Sequence, residues 1–82
     1  MLLKEIRVGQ QGRIVKLLSD DTYCRRLCEM GFLPGTTFVI KHRAPLGYPI
    51  SIEIRGYEII VGAHDASIIE VEKVENLERV EK

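Results

Sequence analysis

Residues 50–55 read Ile-Ser-Ile-Glu-Ile-Arg, three isoleucines in strict alternation with three polar side chains. Successive side chains of a strand point to opposite faces, so this run fits a half-buried strand with one dry side and one wet side. Within Arg55-Gly56-Tyr57-Glu58, Gly56 is free to take a positive φ, which predicts a hairpin turn into a returning strand at Ile59-Ile60-Val61. Such a pair is marginal alone in water. The rest of the chain has to cover its apolar face.

Three further strands are available for that. Gly12 to Leu18 is apolar and β-branched and follows the turn-prone Val8-Gly9-Gln10-Gln11. Thr36 to His42 is similar and is broken by Ala44-Pro45-Leu46-Gly47-Tyr48-Pro49. Ser67 to Val74 alternates again, Ile69 and Val71 opposing Glu70 and Glu72, after a Gly62–Ala66 segment long enough for one helical turn. Between the first two strands, Ser19-Asp20-Asp21-Thr22 supplies N-caps, and Tyr23, Leu27 and Met30 recur at i, i+4 and i+7. This predicts an amphipathic helix of about three turns, with Leu27 and Met30 as its anchors on the sheet. Gly31 reads as its left-handed stop, Phe32 as a residue folding back on the last turn, and Pro34-Gly35 as a tight turn.

Five short strands with one helix after the first predict a mainly β fold, a small and strongly bent barrel that removes exposed edges. With 82 residues and no tryptophan there is room for one domain, whose core is built mainly from Ile, Leu and Val. We assign residues 1–74 to the barrel. Residues 75–82, with Leu77 and Val80 among Glu75, Glu78 and Glu81, read as a short charged tail.

Charges at Lys4, Glu5 and Arg7 interrupt what would be the apolar stretch of a signal peptide, and no apolar run approaches the ~20 residues a membrane span needs. On a helix Cys24 and Cys28 would hold their Cβ atoms about 5–6 Å apart, too far for a disulfide. Reduced thiols and a cytoplasmic location are expected.

No nucleophile elbow, phosphate-cradling glycine loop or metalloprotease motif is present, and no enzyme activity is expected. Cys24, Cys28, His42 and His64 are weak candidate metal ligands, since thiolate and imidazole suit Zn²⁺ or Fe²⁺. The blander reading makes the cysteines small buried hydrophobes and the histidines surface residues, so no resident cofactor is expected beyond weak, peripheral Fe²⁺ or Zn²⁺.

The zero net charge conceals a split: residues 1–55 hold nine bases against five acids, and residues 56–82 three against seven. Arg25-Arg26 and Lys41-His42-Arg43 either form a basic patch or pair with the acidic C-terminal strand. No aromatic run accompanies them as stacking platforms would, so nucleic acid is not the expected partner. In the loop, two prolines restrict the backbone and lower the ordering entropy of presenting Leu46 and Tyr48 to a partner.

Arg26-Leu27-Cys28-Glu29-Met30-Gly31-Phe32-Leu33-Pro34-Gly35-Thr36 and Arg43-Ala44-Pro45-Leu46-Gly47-Tyr48-Pro49-Ile50 carry a resemblance. Together with Arg55-Gly56-Tyr57 and Ile69-Glu70-Val71, they make the stretch from Arg25 to Val71 resemble the FeoA family, small cytosolic proteins that accompany the bacterial ferrous iron transporter FeoB. The resemblance implies an SH3-like barrel and a role in Fe²⁺ uptake through binding the cytosolic GTPase portion of the transporter. It implies no catalytic or metal residues. On that footing the partner surface is expected to comprise Arg25, Arg26 and Glu29 of the helix with Pro45, Leu46 and Tyr48 of the loop. The alternatives are an RNA-binding module, because Ile6 to Lys16 is reminiscent of the KOW strand–loop, and a peripheral metal carrier using Cys24 and Cys28.

Overall fold

The computed structural model describes residues 1–19 and 22–74, Thr22 and Tyr23 by their backbone alone. A 3₁₀ turn at Leu3–Glu5 leads into β1 (Gln11–Leu17), α1 (Thr22–Glu29), β2 (Thr37–Arg43), β3 (Ile50–Ile54), β4 (Tyr57–Val61), α2 (Ala63–Ile68) and β5 (Ile69–Val74). The strands form one antiparallel sheet in the order β4-β3-β2-β1-β5. This is the expected mainly β architecture with a helix after the first strand. Where the Gly62–Ala66 segment predicts one helical turn, α2 runs to six residues and buries Ala66. The predicted tail, residues 75–82, lies outside the described residues.

Two bulges give the sheet its bend. Along β1, Gly12 and Ile14 are buried and then Val15 and Lys16 are both exposed, as the pairing with β5 shifts register between Ile14 and Lys16. β2 repeats the device, with Phe38 and Ile40 buried, Lys41 and His42 exposed, and a shift against β3 between Ile40 and His42. An extra residue on one strand bends and twists it, so each bulge interrupts the alternation and turns the strand around the core. The core comprises Phe32 and Phe38 within an aliphatic shell of Ile14, Ile40, Ile50, Ile52, Ile54, Ile69, Val61 and Val71.

The β3–β4 hairpin is tighter than the four-residue turn expected. Ile54 pairs with Tyr57, and the two residues between them both have positive φ, 54° at Arg55 and 84° at Gly56, as a type I′ turn requires. The wet side of β3 also departs from expectation, because Ser51 is buried and its hydroxyl donates to the Glu58 carboxylate across the hairpin. Only Glu53 remains fully on the solvent face of that strand.

The first six residues are structural, which their sequence did not signal beyond the spacing of Leu3 and Ile6. Both side chains are fully buried. Val71 N–H donates to the Met1 carbonyl at 2.7 Å, the terminal amine donates to the Val71 carbonyl at 3.3 Å, and Leu2 bridges to Glu70. The N-terminus thus covers the outer edge of β5, a sheet margin that would otherwise invite pairing with another chain.

Candidate partner-binding site

The eight residues of α1 make just over two turns, and the helix ends in a Schellman motif. Phe32 N–H reaches back to the Leu27 carbonyl at 3.1 Å and Gly31 N–H to the Cys28 carbonyl at 3.0 Å, with Gly31 at φ 109°. The return buries Phe32 against the core beside Leu27, as the sequence predicts. Met30 does not follow. The i+7 position carries the helical stripe only if the helix continues, and because α1 stops at Glu29, Met30 is left 39% exposed. Cys24 takes the anchoring place instead, 4% exposed alongside Leu27. Tyr23, the first residue of the expected stripe, has no described side chain.

Gly31 is needed twice over. Its φ favours glycine, and a Cβ built there would lie 3.0 Å from Cδ of Arg55, whose stem crosses it. Gly31→Ala is therefore expected to lower stability by about 1–2 kcal/mol, read as a lower urea midpoint.

The end of α1 and the β3–β4 hairpin enclose a groove of about 250 Å³ lined by Cys28, Glu29, Met30, Gly31, Leu33, Arg55 and Tyr57. Leu33 and Tyr57 are 41% and 70% exposed, so much of the lining is apolar surface open to solvent. Arg25 and Arg26 stand exposed on α1, about one turn before Glu29 and Met30. Among the described residues no carboxylate lies within 4 Å of Arg25, Arg26 or Arg55. The ion pairs present lie elsewhere: Arg13 to Glu72 at 2.7 Å joins the basic half to the acidic last strand, and Lys41 pairs with Glu53 at 3.6 Å.

The loop between β2 and β3 is held by its own backbone and, at its start, by the Arg43 side chain. Ala44 N–H donates to the Pro49 carbonyl at 3.1 Å, Gly47 N–H to the Ala44 carbonyl at 2.8 Å, and Arg43 Nη2 to the Ile6 carbonyl at 2.6 Å. Tyr48 packs against the core, Pro45 is exposed, and Leu46 projects with 97% of its surface in solvent. The loop follows the Arg43–Ile50 pairing, whereas Arg55 follows the Phe38–Ile54 pairing at the other end of the same hairpin. Five residues of β2 separate the two, about 17 Å at strand rise. The structure thus gathers Arg25, Arg26 and Glu29 at one end and Pro45, Leu46 and Tyr48 at the other. Leu33, Arg55 and Tyr57 join the first group through contacts distant in sequence. The sequence signal for Leu33 and Tyr57 is an apolar or aromatic residue placed just after a helix stop and a hairpin turn, and Arg55, a charged residue within that turn, carries no such signal.

Cys24 and Cys28 are reduced and line a second cavity of about 350 Å³ with Lys16, Leu17, Ser19, Arg25 and Pro34. His42 is on the exposed face of β2 and His64 on the exposed side of α2. Among the described residues no three His, Cys, Asp or Glu side chains come close enough to hold a metal ion. No helix of the described residues is long and apolar enough to cross a membrane.

The FeoA domain family model matches residues 1–73. Over 74 residues the chain is 35% identical to the Fe(2+) transport protein A/Fe(2+) transporter FeoB fusion protein of Porphyromonas gingivalis, an alignment covering 90% of this chain and 9% of that protein. The iron(II) transport protein A of Clostridium thermocellum superposes with a TM-score of 0.85 at 36% identity, over 90% of this chain and 46% of that one. This chain thus spans less than half the length of either relative. FeoA of Stenotrophomonas maltophilia, a prokaryotic SH3 domain protein crystallised with zinc, superposes with a TM-score of 0.78 at 21% identity over 88% of this chain and 89% of that one, a likeness of fold. From the 3₁₀ turn through β5, in sequence pattern and in the bent five-stranded sheet, the chain belongs to the FeoA domain family.

Proposed function

We propose that this chain is an accessory protein of ferrous iron uptake, acting in the cytoplasm by binding the cytosolic GTPase portion of a FeoB-type transporter. It does no chemistry of its own and carries no resident cofactor. The observation behind this reading is the Porphyromonas gingivalis protein, in which a segment similar to this chain is joined covalently to a FeoB transporter. Such a tether holds two modules at high effective concentration, which has a use when they act on one another. The surface accords with an adhesive role: a rigid loop presents Leu46, Arg55 lines a groove with the exposed Leu33 and Tyr57, and Arg25, Arg26 and Arg55 have no carboxylate partner among the described residues. The binding surface comprises Arg25, Arg26 and Glu29 at the helix end and Pro45, Leu46 and Tyr48 at the loop end.

Titrating the purified cytosolic domain of the transporter into this protein tests the reading. The parent binds, and Arg26→Glu and Leu46→Asp each weaken binding about tenfold, the effect expected of an anchor residue. Both positions are exposed, so both variants fold. Equal binding by both variants and the parent would remove this surface. A parent that does not bind removes the function.

A further inference from the structure

Resting on that reading, we propose that the groove between the end of α1 and the β3–β4 hairpin seats an apolar side chain carried on an acidic segment of the partner. Cys28, Met30, Leu33 and Tyr57 give it an apolar lining, and its volume of about 250 Å³ suits a large side chain better than a whole small molecule. Arg55 and Glu29 are the charged residues of its lining, and Arg25 and Arg26 stand exposed on α1 about one turn before Glu29. With no carboxylate within 4 Å of the three guanidiniums among the described residues, the field they set up is left for an incoming anion.

Arg55 adds an independent observation. It occupies a positive-φ position of a two-residue hairpin, where Asn, Asp or Gly fits with less strain. A strained backbone residue whose side chain reaches into a groove points to a use for that side chain beyond the turn. Its stem crosses Gly31, which has no Cβ to obstruct it, and so the guanidinium is held at the groove.

Other occupants fit less well. A lipid surface engages protruding apolar groups, and the most exposed of them, Leu46, lies at the far end of the β2–β3 pair from Arg55. A nucleic acid would bring phosphates to Glu29 and find no stack of aromatic platforms. A second copy of this chain docked through the same face would set Arg55 of one copy against Arg55 of the other, cation against cation. An acidic protein segment satisfies both the apolar lining and Arg55, which has no carboxylate within 4 Å among the described residues.

Cys28 is a built-in reporter, because it lines the groove as well as the second cavity and is partly exposed while Cys24 is buried. Its protection is read together with the effect of Leu33→Asp, at a residue that lines the groove and not the second cavity. With the transporter's cytosolic domain at saturation, alkylation of Cys28 by iodoacetamide is expected to slow at least about fivefold. Leu33→Asp and Arg55→Asn are each expected to weaken binding about tenfold. Asn suits the positive φ, so the unfolding midpoint of Arg55→Asn should equal or exceed the parent's, which separates lost recognition from lost structure. Raising NaCl from about 50 to about 500 mM should weaken the parent several-fold and Arg55→Asn less. A domain that binds while Cys28 reacts at an unchanged rate and Leu33→Asp binds like the parent would overturn the groove and leave the proposed function standing. Protection of Cys28 with full binding by Arg55→Asn would overturn the acidic character of the segment. Absence of any binding by the parent would overturn both the function and the groove.

Discussion

Phe32→Ala is expected to lower the free energy of unfolding by about 3–5 kcal/mol, the range for removing a fully buried aromatic ring. Phe32 has no exposed surface, and it follows the left-handed Gly31 in a return that brings its ring back beside Leu27. The backbone hydrogen bonds of that motif survive the substitution, so the core cannot collapse to fill the space without pulling the helix end out of register. A chain of 82 residues has a total stability of roughly 4–12 kcal/mol at the usual 0.05–0.15 kcal/mol per residue, so the loss is about a quarter of the total or more. Urea unfolding should show a much lower midpoint at an unchanged slope. A change no larger than that of an exposed-site substitution such as Leu46→Ala would show that the ring is not packed as described.

Gly12→Ala is expected to destabilise by about 1–3 kcal/mol through the opposite fault, one methyl too many. A Cβ built on Gly12 lies 2.5 Å from Cζ of Phe38, with both Cε atoms within 3.1 Å. Gly12 pairs directly with Phe38 across β1 and β2, and the ring is only 2% exposed, so it has nowhere to swing. The substitution therefore forces β1 away from β2 at their shared core position. Shortening the ring provides the check: in Gly12→Ala combined with Phe38→Leu, the two losses should be clearly less than additive, because each relieves the fault of the other. Simple additivity would mean that the two residues do not compete for the same space.

What could be read from sequence is whatever local chemistry decides. The alternating isoleucines of β3, the glycine of the hairpin and the Gly31–Phe32 helix stop are each specified within a few residues, and each occurs where expected. What could not be read depends on residues distant in the chain. Ser51 is buried because Glu58 folds over it, and the two-residue runs of exposed side chains in β1 and β2 exist because a neighbouring strand slips register there. Met30 carries the right spacing for the core and misses it because the helix ends one residue too early. The candidate site divides in the same way. Arg25, Arg26, Glu29 and Leu46 show their exposure in the sequence pattern, whereas Arg55 and Tyr57 reach the groove only once the β3–β4 hairpin has folded back on the end of α1.

The bonding of Met1 to Val71 ties the first segment to the last described strand, and β1 itself pairs along its length with β5. On a ribosome, then, the opening segment has no place to go until β5 has been made. Leu3 and Ile6, fully buried in the end, stay in solvent until residues near 71 have emerged. Folds dominated by such distant pairings belong to the slower class, forming over milliseconds to seconds. Translation at roughly 5–20 residues per second takes longer than that. The timing of barrel closure is therefore set by the arrival of β5 and not by the search for its partners.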